Sequence, residues 1–209
     1  MQAVRDRRAT RWEHHRRTRR AELTDAAIAA IRRHGAGVGM DDVAAAARTS
    51  KTAVYRHFAD RNQLYVAVCE RVAEVLLAQV RAAIDGVAGP RAKTAAAISA
   101  YLRLIENDPE VYRFVVHRPL AEADLVADLV SVIGDQVAEV IAEHLTAAGA
   151  DPSPAVPWGH GVVGMVRAAA DNWIARPAGM SREQLTDHLT ALAWAGLSGV
   201  VARSEEETP

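Results

Sequence analysis

The sequence predicts an all-α chain of about nine helices, and three observations carry that expectation. Apolar residues recur at three- and four-residue spacing over most of the length, which is the helical period. Half of the 209 residues are hydrophobic but only 5% are aromatic, and alanine and leucine stand where a sheet protein would have β-branched runs. Glycine, proline and short polar residues fall between the periodic segments rather than inside alternating ones. No strand and no internal repeat is legible.

Residues 1–15 are arginine-rich and lack apolar periodicity, so they are expected as a disordered basic arm. The first helix covers Arg16–His34, with Leu23, Ala27, Ile28 and Ile31 on one face. Gly35 stops it, and Arg32, Arg33 and His34 suit the negative end of its dipole. The glycine-rich stretch 35–39 is a turn. It is no phosphate loop, because no strand precedes it and the lysine is missing. Met40–Ala47 forms a short helix with Met40, Val43, Ala44 and Ala47 together. Arg48-Thr49-Ser50 turns, with Ser50 or Thr49 as N-cap. Lys51–His57 is a second short helix. Asp60 caps a longer one, Arg61–Asp85, with Leu64, Val68, Val72, Val75 and Leu76 inward.

Past the break 86–90, Pro90 sits in the first turn of a helix over 91–107. Asp108-Pro109 opens a short helix through Val116. Pro119 starts a long one to about Ala148. Two more follow, 156–175 and 182–202, and Ser181 with Gln184 fits a capping box. The domains read as 1–15 arm, 16–64 first domain, 65–204 second domain and 205–209 frayed tail.

A net charge of −1 hides a division. Residues 1–64 carry 14 Lys/Arg against 7 Asp/Glu, and residues 65–209 carry 11 against 19. A basic module on an acidic body suits a nucleic-acid partner. Cys69, the single cysteine, excludes an intramolecular disulfide and fits a reducing, cytoplasmic setting. No apolar run approaches the ~18 residues of a membrane span, and no apolar stretch follows the basic N-terminus as in a secretory signal. No nucleophile–base motif or Cys-x-x-Cys appears, and His117, His144, His160 and His188 are scattered. No catalytic residue, metal site or cofactor is therefore expected, and the chain reads as no enzyme.

Two short helices across a three-residue turn, behind a longer helix, have the spacing of a helix-turn-helix. Its second helix enters the major groove of double-stranded DNA by its N-terminal end. Here that end is Thr49-Ser50-Lys51-Thr52-Ala53, small, polar and cationic. Val54 and Phe58 must pack inward. Tyr55, Arg56 and His57 offer donors to phosphates.

The stretch Asp42-Val-Ala-Ala-Ala-Ala47, Ser50-Lys51, Tyr55-Arg-His-Phe58, Arg61 and Leu64 resembles the TetR family of regulators. The resemblance implies that Tyr55, His57 and Arg61 bind phosphates. It implies also that Lys51 approaches phosphate or base and that Thr52 and Ala53 face the bases. It departs at Arg48-Thr49, where the family has Gly-Val, at Thr52-Ala53, where it has Gly-Thr, and at Gly39, where it has a capping Thr. Arg48 lacks glycine's freedom at positive φ, so a shift in the turn is expected. The DNA-binding set is Arg48, Thr49, Ser50, Lys51, Thr52, Ala53, Tyr55, Arg56, His57 and Arg61. The fold is then a three-helix DNA-binding domain plus a C-terminal helical domain for ligand and dimerisation.

The last two helices are apolar and rich in small residues: Gly161, Gly164 and Ala168, then Ala193, Gly196 and Gly199. Glycine costs a helix about 1 kcal/mol, so close helix approach is expected, as in a homodimer through these two helices. Tyr101–Asp108, Tyr112-Arg113, Gly161–Met165, Trp173 and Trp194–Gly199 resemble the subgroup responsive to fatty acyl-CoA. That resemblance implies a hydrophobic or acyl-CoA-like effector lined by Leu102, Ile105, Val115, Met165, Val166 and Trp173. A ligand-responsive repressor on a palindromic operator follows. The alternative readings are a helical enzyme or carrier for an apolar molecule, and a helical scaffold without a DNA role.

Overall fold

No glycine or proline interrupts residues 2–34, and a computed structural model of the protein runs them as one helix, α1 (Gln2–His34). The structure describes the backbone of residues 2–116, 123–176 and 179–206, and the side chains of 12–116, 130–176 and 179–196. Residues 2–15, expected as a disordered arm, are helical. Arginine, alanine, glutamate and glutamine are good helix formers, and the packed second half of α1 supplies a nucleus to extend.

The other elements are α2 (Met40–Ala46), α3 (Lys51–Tyr55), α4 (Arg61–Ile84), α5 (Pro90–Asn107), α6 (Pro109–Val116), α7 (Ala123–Ala147), α8 (Ala155–Ala175) and α9 (Arg182–Glu206). The described residues contain no strand. The expected start of α7 at Pro119 lies outside the described residues. Most caps follow the sequence. The Ser50 hydroxyl accepts from the Ala53 N–H, and Asp60 accepts from the Gln63 N–H at 2.8 Å. Ser181 and Gln184 exchange side-chain and backbone bonds as a full capping box. Gly39 has no side chain to offer. Asp42 compensates by accepting the Gly39 N–H at 2.8 Å.

The helices group into two compact units. One holds α1, α2, α3, α4 up to Val72, and α6; the other holds α4 from Ala73, α5, α7, α8 and α9. This shifts the expected boundary at residue 65. Tyr65 and Val68 are buried in the first unit, and so are Val111, Tyr112, Phe114 and Val115 of α6. The Tyr65 hydroxyl donates to the Val115 carbonyl at 2.9 Å, and its ring lies 5.5 Å from that of Phe114. Gly35, at φ 81, leaves room for Glu110 of α6. The core of this unit is Leu23, Ala27, Ile31, Val43, Val54 and Phe58, all nearly or fully buried. Each large side chain there contributes roughly 1.5–3 kcal/mol by leaving water.

In the second unit α7 packs on α8, and α5 packs on both α8 and α9. Ile141, Leu145 and Ala155 form a buried cluster with Trp158 against it. The backbones of α7 and α8 come close at Gly134 and Gly159. A Cβ on Gly159 would lie 2.5 Å from the Gly134 carbonyl oxygen and 2.6 Å from the Ala138 nitrogen. Gly161, Gly164 and Gly196, expected at a close approach to a second copy, face open space within the single chain, where a Cβ on any of them meets nothing within 4 Å. Arg182 ties the start of α9 to α5, donating to Glu106 at 2.9 Å and Ser99 at 3.0 Å. The buried hydroxyls of Thr186 and Thr190 are satisfied four residues back along α9.

Candidate nucleic-acid interface

The turn before α3 is closed by backbone bonds. The Thr49 N–H donates to the Ala44 carbonyl and the Arg48 N–H to that of Ala45, the paired bonds of a Schellman stop. Arg48 occupies the left-handed position at φ 50, the one described non-glycine residue with positive φ. Arginine here takes the left-handed conformation that glycine adopts freely. An L-residue there costs roughly 1–2 kcal/mol.

Beyond the turn, α3 divides sharply. Val54 and Phe58 are fully buried, while Ser50, Lys51, Thr52, Tyr55 and Arg56 are exposed. Arg48 is exposed too, and Thr49, Ala53 and His57 are half-buried. The expected DNA-facing residues up to His57 therefore share one short segment whose reverse side is locked into the core. Helical geometry ends two residues early, at Tyr55, but the Phe58 N–H still reaches the Val54 carbonyl at 3.1 Å.

One residue that fixes this segment was missed in the sequence. Arg20, given no role in the sequence reading, donates to the His57 carbonyl at 3.0 Å and lies 4.5 Å over the Phe58 ring. Its spacing to Leu23 and Ala27 on the core line of α1 was the available signal. Arg61 also has a structural task. Its guanidinium donates to the Val38 carbonyl at 2.8 Å, joining α4 to the turn before α2. Any phosphate would meet its other N–H groups.

The electrostatics are uneven. The Lys51 ammonium is 2.7 Å from the Asp41 carboxylate of α2. That hydrogen bond and charge hold Lys51 above the ordinary lysine range. His57 goes the other way. Burial first, and then the positive charges of Arg16, Arg19, Arg20 and His15, hold its imidazole below the ordinary 6.5.

In the second unit, Leu102 and Ile105 of α5 are fully buried and Val166 of α8 nearly so, with Met165 and Trp173 half-buried. The Trp173 indole donates to the Met180 carbonyl at 2.9 Å, pinning the α8–α9 loop. Val115 does not join them. It is buried in the first unit, because α6 packs there. An open cleft of ≈ 440 Å³ lies elsewhere, between the start of α5 and α9, lined by Pro90, Arg91, Asp187, Thr190 and Trp194. None of the six expected effector residues lines it. The described residues contain no cluster of three or more His, Cys, Asp or Glu able to hold a metal ion. No helix among them is long and apolar enough to cross a membrane.

Comparison with known proteins agrees at both ends. Residues 23–68 match the family described as bacterial regulatory proteins, tetR family, and residues 79–208 match tetracyclin repressor-like, C-terminal domain. An uncharacterized HTH-type transcriptional regulator of Mycobacterium tuberculosis (strain ATCC 25618 / H37Rv) is 36% identical over 202 residues, covering 94% of this chain and 84% of that protein. The HTH-type transcriptional activator FasR of Mycolicibacterium smegmatis is 27% identical over 163 residues, covering 78% and 74%. Among solved structures, FadR from Bacillus subtilis in complex with stearoyl-CoA shares the fold. Its TM-score is 0.67 at 15% identity, covering 82% of this chain and 96% of that one.

Proposed function

The chain belongs to the TetR family of DNA-binding transcriptional regulators, and from that premise we propose that it is a ligand-responsive repressor that grips a palindromic operator as a homodimer. The observation that carries the DNA part is the division of α3. Lys51, Thr52, Tyr55 and Arg56 face solvent on a segment whose Val54 and Phe58 are wholly buried. Thr52 and Ala53 read bases, Lys51 meets phosphate or base, and Tyr55, Arg56 and His57 bind phosphates. Arg48, Thr49, Ser50 and Arg61 complete the contact set. A gel shift on the DNA upstream of the gene itself tests this. Wild type is expected to bind, while Lys51→Ala and Tyr55→Phe, still folded, lose at least tenfold. Equal binding by all three overturns these assignments. A reporter fused to that DNA gives the sign, with derepression expected on deletion of the gene; loss of expression makes the protein an activator, as the relative FasR is named.

The outward face of α8, with Pro157, Gly161, Gly164 and Ala168, and that of α9, with Ala191, Leu192, Ala195 and Gly196, supports a homodimer through these helices. The α8 face is exposed and small, and the α9 face, with Leu192 60% exposed, is apolar from Ala191 onward, after the exposed polar residues Gln184, Asp187 and His188. The surroundings of Gly199, expected with these small residues, lie outside the described ones. The effector reading is a hydrophobic or acyl-CoA-like molecule entering between α5 and α8 around Leu102, Ile105, Met165, Val166 and Trp173. The similar fold crystallised with stearoyl-CoA supports it. Val115 stands apart from that set, buried in the first unit. Such a ligand acts on the reader through the chain's passages between units, within α4 and at both ends of α6. The setting is the cytoplasm, where a regulator meets its DNA.

A further inference from the structure

The basic N-terminal half of α1 takes no part in the helix-turn-helix of α2 and α3. Residues 1–20 carry eight arginines against Asp6 and Glu13. In the second half of α1, Leu23, Ala27, Ala30 and Ile31 form the buried line of the helix. Followed toward the N-terminus in the same helical register, that line passes through Arg20 and Arg16 to positions 9 and 5, with Trp12 and Glu13 on either side of it and Arg19 and positions 8 and 6 at its edges. The face that is core beside α2 thus becomes a cationic track. Trp12 is 63% exposed, and the Arg16 guanidinium lies 5.0 Å over its ring. Arg19 is braced by Glu22 at 2.7 Å.

Arg20 anchors this track to the reader. Its bond to the His57 carbonyl and its place over Phe58 fix where the helix leaves the core. The exposed cations that follow are therefore contiguous with the expected phosphate-binding edge at Tyr55–His57. The positive field of Arg16, Arg19 and Arg20 at the His57 ring agrees with that proximity. Fourteen helical residues, 2–15, extend the track by about 20 Å. An apolar line would ask for a protein partner, whereas a line of arginines asks for a polyanion.

We propose that the N-terminal half of α1 is a second DNA-contacting element, an ordered helix whose Arg5, Arg8, Arg16 and Arg19 line lies along the phosphate backbone flanking the half-site read by α3. This rests on the DNA-binding reading above and adds a contact outside the helix-turn-helix. It also differs from a floppy arm, because the cations act in helical register. Its contribution is electrostatic and independent of sequence, so it widens the footprint without changing the operator preference.

The test measures binding of the full-length protein to a 40-base-pair mixed-sequence duplex across a potassium chloride series. Wild-type binding with a steep salt slope is required first; failure there removes the DNA-binding reading itself. Given binding, the triple variant Arg5→Gln, Arg8→Gln, Arg16→Gln is expected to lower the log–log slope by about 0.9 per lost contact, close to 3 in all. Ala9→Pro keeps every charge but breaks the helix between position 8 and the core. It is expected to lower the slope by about 2. A slope within 0.5 of wild type for the triple variant overturns the proposal. A lowered slope for the triple variant with no change for Ala9→Pro replaces the ordered track by a flexible arm. An unchanged slope together with a weakened dimer would place the arginines on the acidic body of a second copy, which also overturns it.

Discussion

The two units of this protein are held together by different means. In the reading unit, side chains with a polar end make the joints: Arg20 on the His57 carbonyl, Arg61 on that of Val38, Tyr65 on that of Val115, and Ser50 and Asp60 as caps. Each needs a particular residue type at a particular place. In the second unit the helices meet through apolar clusters such as Ile141, Leu145 and Ala155 and the glycine pair Gly134 and Gly159, with the polar joints of Arg182 and His160 beside them. Many sequences satisfy such apolar clusters. Function is therefore written residue by residue in the first unit and only as a pattern in the second.

The sharpest way to break this contrast is at Phe58, where packing and the Arg20 contact coincide. Phe58→Ala is expected to cost about 3–5 kcal/mol of stability in chemical denaturation, the range for a buried phenylalanine. Arg20→Ala is expected to cost less but to weaken DNA binding as well, since it frees the α3 edge. A Phe58→Ala loss under 1 kcal/mol would mean that the reader is not locked from behind.

Next come the glycines of α8, two residues apart and opposite in surroundings. Gly159→Ala forces a methyl onto the Gly134 carbonyl and is expected to cost about 1–3 kcal/mol. Gly161→Ala meets open space in the single chain and is expected to gain up to about 1 kcal/mol from helix propensity. If that face is the dimer interface, the same change weakens self-association, read by sedimentation at falling concentration. Two equal and opposite stability shifts with an unchanged dimer would remove α8 from the interface.

Arg48→Gly is expected to stabilise the fold by about 1 kcal/mol, because it relieves the left-handed turn. It should also lower DNA affinity, since the arginine is kept there at a conformational cost. Stability and binding moving together would show that Arg48 has no DNA contact.

The smallest effect concerns His57. Its pKa is depressed in the folded chain, so below about 6.5 the unfolded state takes up this proton first, and its contribution to stability falls as pH drops. That contribution is fully present above the unfolded value. A bound phosphate favours the protonated form, so DNA affinity is expected to rise from pH 7 toward 6, by at most about tenfold for one proton. His57→Gln should flatten both trends.

Much of this was legible in the sequence. The helices, the Ser50, Asp60 and Ser181 caps, and the exposed edge of α3 follow from local spacing that tertiary contacts reinforce. The rest depended on long-range partners. Nothing near Arg20 or Arg61 announces a carbonyl 37 or 23 residues away. The docking of α6 in the first unit turns on Tyr65 meeting Val115 across 50 residues. Gly159 looked no different from Gly161, because a glycine's reason lies in what faces it. The effector remains legible only as an apolar core, since Leu102, Ile105 and Val166 would look alike in a filled core and a ligand channel.

The central claim is that two copies of this reader meet two half-sites on one face of the DNA. A hydroxyl-radical footprint on the DNA upstream of the gene tests it most directly. Two protected patches related by two-fold symmetry, separated by a whole number of helical turns, are the expected result. A single patch, or protection without symmetry, would contradict it.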